Sequence, residues 1–482
     1  MRIRHHMYLR LLFILPALLV SHAAAQPQIR LSTGQLPGFR EVVAGHFSDV
    51  QFYYVSAAEL DDTLLLTAEA PFRLSLDCYE GFAETLSLPP AGGEVPSTRI
   101  YVRLFAESPG QWEATAGHSS AGADAAELEL SGKVISTHIP PGYYESATGS
   151  GSELKTLLHQ LIRDHQVQTY ASLWEHFTTT DATFDGHVWD IYSDTPCEEP
   201  PYLYVFGEDQ DRGFGGTQEG EFYNREHSMP RSWFGGAVDP MNTDLFHIFP
   251  VDKFVNAQRD NHPFGEVEAP VWTSMNGGRL GPNSFGQDAG TAFEPVDEYK
   301  GDLARAFLYM ITRYEDLISG WDSSPEGNRM LGHTTYPGYA PWAIDMLLKW
   351  HRLDPVSQKE RVRNQEVYRI QGNRNPFVDH PEWVELIWGE HTGLKPGGGQ
   401  GMMRAWPNPV RDVLHVAIVG DTGASAEVSL LNMQGHTLRK QAHLPGKEGK
   451  IQICMQGLPA GLYLLKARSG KSFQTQKIVR PH

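Results

Sequence analysis

Phe222-Tyr-Asn-Arg-Glu-His-Ser-Met-Pro-Arg-Ser-Trp-Phe234 and, shortly after it, Asp244-Leu-Phe-His-Ile-Phe-Pro-Val-Asp-Lys-Phe-Val-Asn-Ala-Gln-Arg259 carry the densest chemistry in the chain. The first stretch sets an acid beside an imidazole, Glu226-His227. In the second, residues 244–249 have strand character, Pro250 interrupts them, and residues 251–260 can be helical with Asp252 near the start. Asn256 and Arg259 then share one helical face. Successive strand residues point to opposite sides, so Glu226 and His227 serve one site only at a strand end or a bulge. Phosphodiester hydrolysis needs a base active near neutral pH and positive charge on the non-bridging and leaving oxygens. Histidine supplies the base without a large pKa shift. A hard cation such as Mg²⁺ takes oxygen ligands, for which Glu226 and the Asn256 amide are suited. On the residues alone, a Glu-His pair, an asparagine and an arginine are more often ordinary surface or core groups.

Working outward, 482 residues are too many for one ordinary core and suggest about three domains. A formal net charge of -18 excludes a protein that holds nucleic acid by bulk positive charge, though not a nuclease with a local basic groove. Cys78, Cys197 and Cys454 are odd in number and far apart, which reads as buried free thiols rather than a zinc site or a disulfide framework. At the N-terminus, Arg2, Arg4 and Arg10, the apolar run Leu11-Leu-Phe-Ile-Leu-Pro-Ala-Leu-Leu-Val20 and Ala23-Ala-Ala25 form a signal peptide, residues 1–25. The expected mature protein is exported and free of transmembrane helices.

Residues 26–136 are a succession of short β-rich runs, among them Val50-Gln-Phe-Tyr-Tyr-Val55 and Thr98-Arg-Ile-Tyr-Val-Arg-Leu104, separated by Gly, Pro, Asp and Ser. They predict an N-terminal β-sandwich with no catalytic cluster, a packing or spacer module. After a turn-rich joint at 138–151 the apolar period becomes helical. Residues 152–162 predict a helix capped by Ser152, followed later by helices over 302–314, 339–352 (Pro341 in its first turn) and 356–370, the last ending at Gly372. Pro396-Gly-Gly-Gly-Gln-Gly401 is a flexible linker, and a second small β-sandwich is expected over 403–482.

Asn224-Arg-Glu-His-Ser-Met-Pro-Arg-Ser-Trp-Phe234, Asp244-Leu-Phe-His-Ile-Phe-Pro250 and Val255-Asn-Ala-Gln-Arg259 resemble the bacterial endonuclease I family. Asn261-His-Pro-Phe-Gly-Glu-Val267, Leu347-Leu-Lys-Trp-His-Arg-Leu-Asp-Pro-Val-Ser357 and Gln371-Gly-Asn-Arg-Asn-Pro-Phe-Val-Asp-His-Pro381 extend the likeness in consistent order. The resemblance implies a mixed α/β ββα-metal nuclease domain at 150–394. It implies His227 as general base, Glu226 and Asn256 as ligands of Mg²⁺ (Ca²⁺ or Mn²⁺ as alternatives), and 5′-phosphorylated products from DNA and also RNA, with little sequence preference. Two departures stand out. Phe246-His247 follows Asp244-Leu245 where relatives carry His-Asn or His-His. The relatives' disulfide-bearing insertion with a transition-state arginine is missing, which leaves Arg231 or Arg259 for that role. Arg361, Arg363, Arg369 and Arg374 form a basic strip on which substrate phosphates would lie. Trp406-Pro-Asn-Pro-Val-Arg-Asp-Val-Leu414, Leu431-Asn-Met-Gln-Gly435 and Leu458-Pro-Ala-Gly-Leu-Tyr463 resemble the sorting domain of the type IX secretion system. That implies passage through its machinery, with no stable protein partner otherwise. The expected function is a secreted, metal-dependent, largely non-specific endonuclease. The alternative is a cell-surface adhesion or carbohydrate-binding protein with an inactive nuclease-like domain. A zinc protease is disfavoured, because no His-Glu-x-x-His occurs.

Overall fold

The computed structural model describes residues 26–389 except 138, and within 403–480 all but 407–409, 411–412, 419–425, 433–436, 444–449, 460 and 470–471. The leader at 1–25 and the linker at 396–401 lie outside the described residues. Buried apolar side chains gather into three main cores that follow the chain from one end to the other.

The first core lies between two sheets built from nine strands: β1 (Gln28–Leu31), β2 (Phe39–Val43), β3 (Gln51–Ala58), β4 (Leu64–Ala68), β5 (Phe72–Ser75), β6 (Thr85–Leu88), β7 (Val95–Leu104), β8 (Gly110–Ser119) and β9 (Ala126–Ile135). Their orders are β1-β3-β7-β5 and β2-β9-β8-β4-β6. The alternation that marks the strands in sequence also sets their faces. Tyr53, Val55 and Ala57 of β3 and Leu128, Leu130, Gly132 and Val134 of β9 are buried, with the residues between them more exposed.

The second core is helical. Helices α1 (Gly151–Ile162) and α2 (Leu173–Thr180) lead into a two-stranded antiparallel ribbon, β10 (Tyr223–His227) with β11 (Ile248–Asp252), and then helix α3 (Lys253–Arg259). A three-stranded sheet of β12 (Trp272–Thr273), β13 (Arg279–Pro282) and β14 (Thr291–Glu294) precedes helices α4 (Lys300–Arg313), α5 (Pro325–Met330), α6 (Pro341–Leu353) and α7 (Gln358–Gln371). Helix α4 is buried along its whole length, so its neighbours pack around it. Helix α7 opens with a capping box, Ser357 with Glu360, and closes on Gly372 at φ 77°, a left-handed position that glycine takes without strain. Helix α1 begins one residue earlier than expected, after Ser150, and no serine side chain caps it.

Pro250 does not end its strand. It sits inside β11 opposite Arg225, where a ribbon of only two strands leaves one edge of β11 without a partner, so the missing N–H costs no ladder bond. The strand begins later than expected because Asp244 caps a 3-10 turn, Leu245–His247, by accepting from Phe246 N.

The cysteine expectation is overturned. Cys78 and Cys197 form a disulfide across 119 residues that joins the N-terminal sheets to the helical region, and Cys454 is exposed rather than buried. Around that bond, Arg99 Nη1 and the Tyr101 hydroxyl donate to the Cys197 carbonyl at 2.6 and 3.0 Å. Nearby, Gln358 Nε2 reaches the Glu41 carbonyl and the Tyr79 hydroxyl reaches Glu298. The third core lies in the C-terminal strands, in sheets of three and four strands.

Candidate active site

Strand β10 stops at His227, and the Ser228 amide then donates to the His247 carbonyl, so the ribbon closes just past Glu226-His227. Register pairs Glu226 with Phe249 and His227 with Ile248. The two-residue period therefore deals the side chains to two faces.

Asn224 and Glu226 face helix α3. Asn256 Nδ2 donates to Asn224 Oδ1 at 2.8 Å, which turns the Asn256 amide so that its oxygen is left for another partner. Glu226 Oε1 accepts from Arg259 Nη1 at 2.9 Å and from the Tyr192 hydroxyl at 2.8 Å. Both donors use that one oxygen. Arg259 also donates to the carbonyls of His227 and Ser228, and its guanidinium lies 4.6 Å from the Phe264 ring centre. At 1% exposure it cannot meet a substrate phosphate. The expectation of a transition-state cation at Arg259 gives way to a fastening one: it pins the end of β10 to α3 and orients Glu226.

Arg225 and His227 occupy the opposite face. His227 Nε2 lies 3.1 Å from the Asn242 carbonyl. A carbonyl only accepts, so Nε2 carries the proton and Nδ1 keeps its lone pair. The imidazole stacks on Tyr170 and meets the His247 ring edge-on. Burial holds the His227 pKa well below its ordinary value, His247, Arg231 and Arg225 push the same way, and the Asn242 carbonyl opposes them. Burial raises the Glu226 pKa, against the pull of Arg259 and Tyr192.

Arg231 is exposed, with its guanidinium 5.9 Å from the Tyr170 ring centre on the His227 side. Phe246 packs against Tyr309 in the core, so the departure at that position falls outside the site. The basic strip on α7 does not form. Arg363 is buried on Asp181, Arg374 is buried on Asp379, and Arg369 pairs with Glu366 and reaches Glu41. Arg361 is half-buried and near His46 of the N-terminal region, whose pKa is lowered first by burial and then by the Arg361 charge. The physical reason is that α7 packs against both the helical core and the N-terminal sheets, which turns Arg363 onto the buried Asp181 and engages Arg369 with Glu366 and Glu41.

Tyr170, Tyr192 and Arg225 belong to this site and are absent from the expected set. Strand period alone puts Arg225 on the His227 face. Nothing local in the sequence marks the two tyrosines.

Among the described residues no three His, Cys, Asp or Glu groups converge. A carboxylate oxygen of Glu226 and the Asn256 amide oxygen, each left without a donor, are the donors a hard cation prefers when it keeps water and substrate oxygens as well. In donor type they suit such an ion.

His247, fully buried behind His227, is held at a pKa of about 4, chiefly by burial. Its folded pKa lies below the unfolded value, so its share of stability is present above about pH 6.5 and is lost as pH falls toward 4. That share is about 3 kcal/mol. The check is a difference: between pH 6.5 and 4, His247→Gln should lose less unfolding free energy than the unaltered chain by about this amount. Parallel curves for the two proteins would refute it.

Comparison with known proteins places the ββα unit within a wider likeness. Residues 150–382 match the family described as Endonuclease I, and residues 404–480 match the family described as Secretion system C-terminal sorting domain. An extracellular ribonuclease of Bacillus amyloliquefaciens is 37% identical over 253 residues, 51% of this chain and 78% of the relative. An extracellular ribonuclease of Bacillus subtilis (strain 168) is 34% identical over 255 residues, again 51% and 78%. An extracellular deoxyribonuclease of Aeromonas hydrophila is 27% identical over 146 residues, 29% of this chain and 50% of the relative.

Proposed function

The chain belongs to the endonuclease I family, and from that premise we propose that it is a secreted endonuclease that hydrolyses the phosphodiester bonds of RNA and DNA with little sequence preference and leaves 5′-phosphates. The observation that carries this reading is the ββα unit itself. It ends one strand on Glu226-His227 and presents Asn256 from the helix that Arg259 fastens to that strand end. The extracellular ribonucleases and the deoxyribonuclease among the relatives support both substrates.

In this reading Glu226 and Asn256 hold one divalent cation, Mg²⁺ before Ca²⁺ or Mn²⁺. When bound, that ion supplies positive charge to the non-bridging and leaving oxygens. The scissile phosphate sits at the end of β10, where the two faces of the strand meet. His227 Nδ1 takes the proton of the attacking water, and the Asn242 carbonyl keeps the tautomer that makes this possible. Arg259 and Tyr192 hold the Glu226 carboxylate in one orientation. We read the two flanking β units, 26–136 and 403–482, as sandwiches, the first an immunoglobulin-like companion of the nuclease domain at 150–394. The second is a type IX sorting tail that, with the leader, directs export.

The test is digestion of supercoiled plasmid and of a long RNA by the purified chain, with Mg²⁺ and with EDTA. Cleavage with Mg²⁺ that EDTA abolishes and added Mg²⁺ restores is the expected result. Absence of cleavage with any divalent metal would end the nuclease reading.

A further inference from the structure

Most buried arginines around this core are matched by carboxylates. Arg259 has Glu226, Arg305 has Glu360, Arg363 has Asp181 and Arg374 has Asp379. Arg225 is half-buried and Arg231 is exposed. Neither has a carboxylate within ion-pair distance among the described residues, although the chain as a whole carries a net charge of -18. Asp211, the acid whose field Arg225 feels, is engaged 2.8 Å away by Lys253.

Arg225 is nonetheless held firmly. Its guanidinium lies 3.7 Å from the Tyr170 ring centre and 4.2 Å from that of Trp174, and Nη1 donates to the Tyr170 carbonyl at 2.7 Å. Aromatic faces hold an arginine without neutralising it, and the remaining N–H groups of the fork stay available for an anion. Arg231 reaches the same Tyr170 ring, its guanidinium 5.9 Å from the ring centre, and that ring stacks on His227. One tyrosine, contributed by the segment between α1 and α2, thus organises two unneutralised guanidinium groups around the imidazole.

We infer that Arg225 and Arg231 form a phosphate clamp on the His227 face, gripping the substrate's backbone beside the bond to be cut, with Tyr170 as its rigid floor. This rests on the nuclease reading and deepens it. The clamp reads the sugar-phosphate chain and not the bases, so it gives the site affinity and register without sequence preference.

The experiment is equilibrium binding of a fluorescein-labelled duplex DNA and of an RNA oligonucleotide, read by anisotropy over a series of KCl concentrations. The full chain carries His227→Ala so that nothing is cut. Arg225→Met and Arg231→Met, each added to that background, are expected to lower the slope of log K against log [KCl] by about 0.7 to 0.9, one phosphate contact each. In otherwise unaltered enzyme each should raise KM roughly tenfold or more. Arg225→Lys keeps the charge and loses the fork, so its slope should stay while KM rises. Melting temperatures keep a folding defect apart from a lost contact. Slopes and KM unmoved in both Met variants, or a lower melting temperature as the sole change, would overturn the clamp. A chain that neither binds nor cuts nucleic acid would overturn the nuclease reading instead.

Discussion

Replacing His227 with alanine is expected to lower kcat by about 10²- to 10⁴-fold, with no comparable change in oligonucleotide affinity. In the proposed reading the imidazole acts on a proton rather than holding the substrate. Its Nε2–H is committed to the Asn242 carbonyl, its ring is packed between Tyr170 and His247, and only the Nδ1 lone pair is left to work. His227→Gln discriminates further. The amide retains a hydrogen-bonding group but no basic nitrogen, so it should be nearly as slow as alanine. Single-turnover digestion of a labelled oligonucleotide with saturating enzyme measures the step directly. A loss smaller than tenfold in both variants would remove His227 from the base role and send the search for a base elsewhere.

Arg363→Met should cost the fold about 3–5 kcal/mol in urea unfolding, with little direct effect on nucleic-acid affinity. Arg363 Nε donates to Asp181 at 2.7 Å, and Nη2 donates to the carbonyls of Leu245 and Ile248 at 2.6 and 2.8 Å. Its guanidinium also lies 4.2 Å from the Phe249 ring centre. Asp181 is fully buried, so removing its cation leaves an uncompensated charge in the interior. Ile248 opens β11 and pairs with His227, so the same change loosens the strand that carries the site. A phosphate-binding Arg363 would give the reverse pattern, a shallower salt dependence of binding and unchanged stability. A loss below about 1 kcal/mol would contradict the buried-clamp assignment.

The contrast between these two residues shows where the sequence can be read. Helices α4 and α6 start and stop within two residues of the positions their apolar stripes and Pro341 predict, because stripe and cap are local signals. The turn into α3 is legible for the same reason: Asp252 accepts from the Val255 amide as an N-cap should. Arg363 and Arg374 could not be read this way. Whether an arginine on a helix meets solvent or an interior carboxylate depends on what the rest of the chain lays over it, and here that is Asp181 and Asp379. Tyr192 and Tyr170 reach the site from outside the ββα unit, so no spacing within the motif announces them. Cys78 and Cys197 meet for the same reason, across a separation that no short pattern spans.

That cross-link has a consequence for a protein released among proteases. A cut at any one peptide bond between residues 78 and 197 leaves two fragments that remain covalently one molecule. The severed stretch includes strands β6 to β9, helices α1 and α2 and the exposed turns between them, which are the places a protease would try first. A single nick there would open the chain without shedding the N-terminal sheets from the catalytic half.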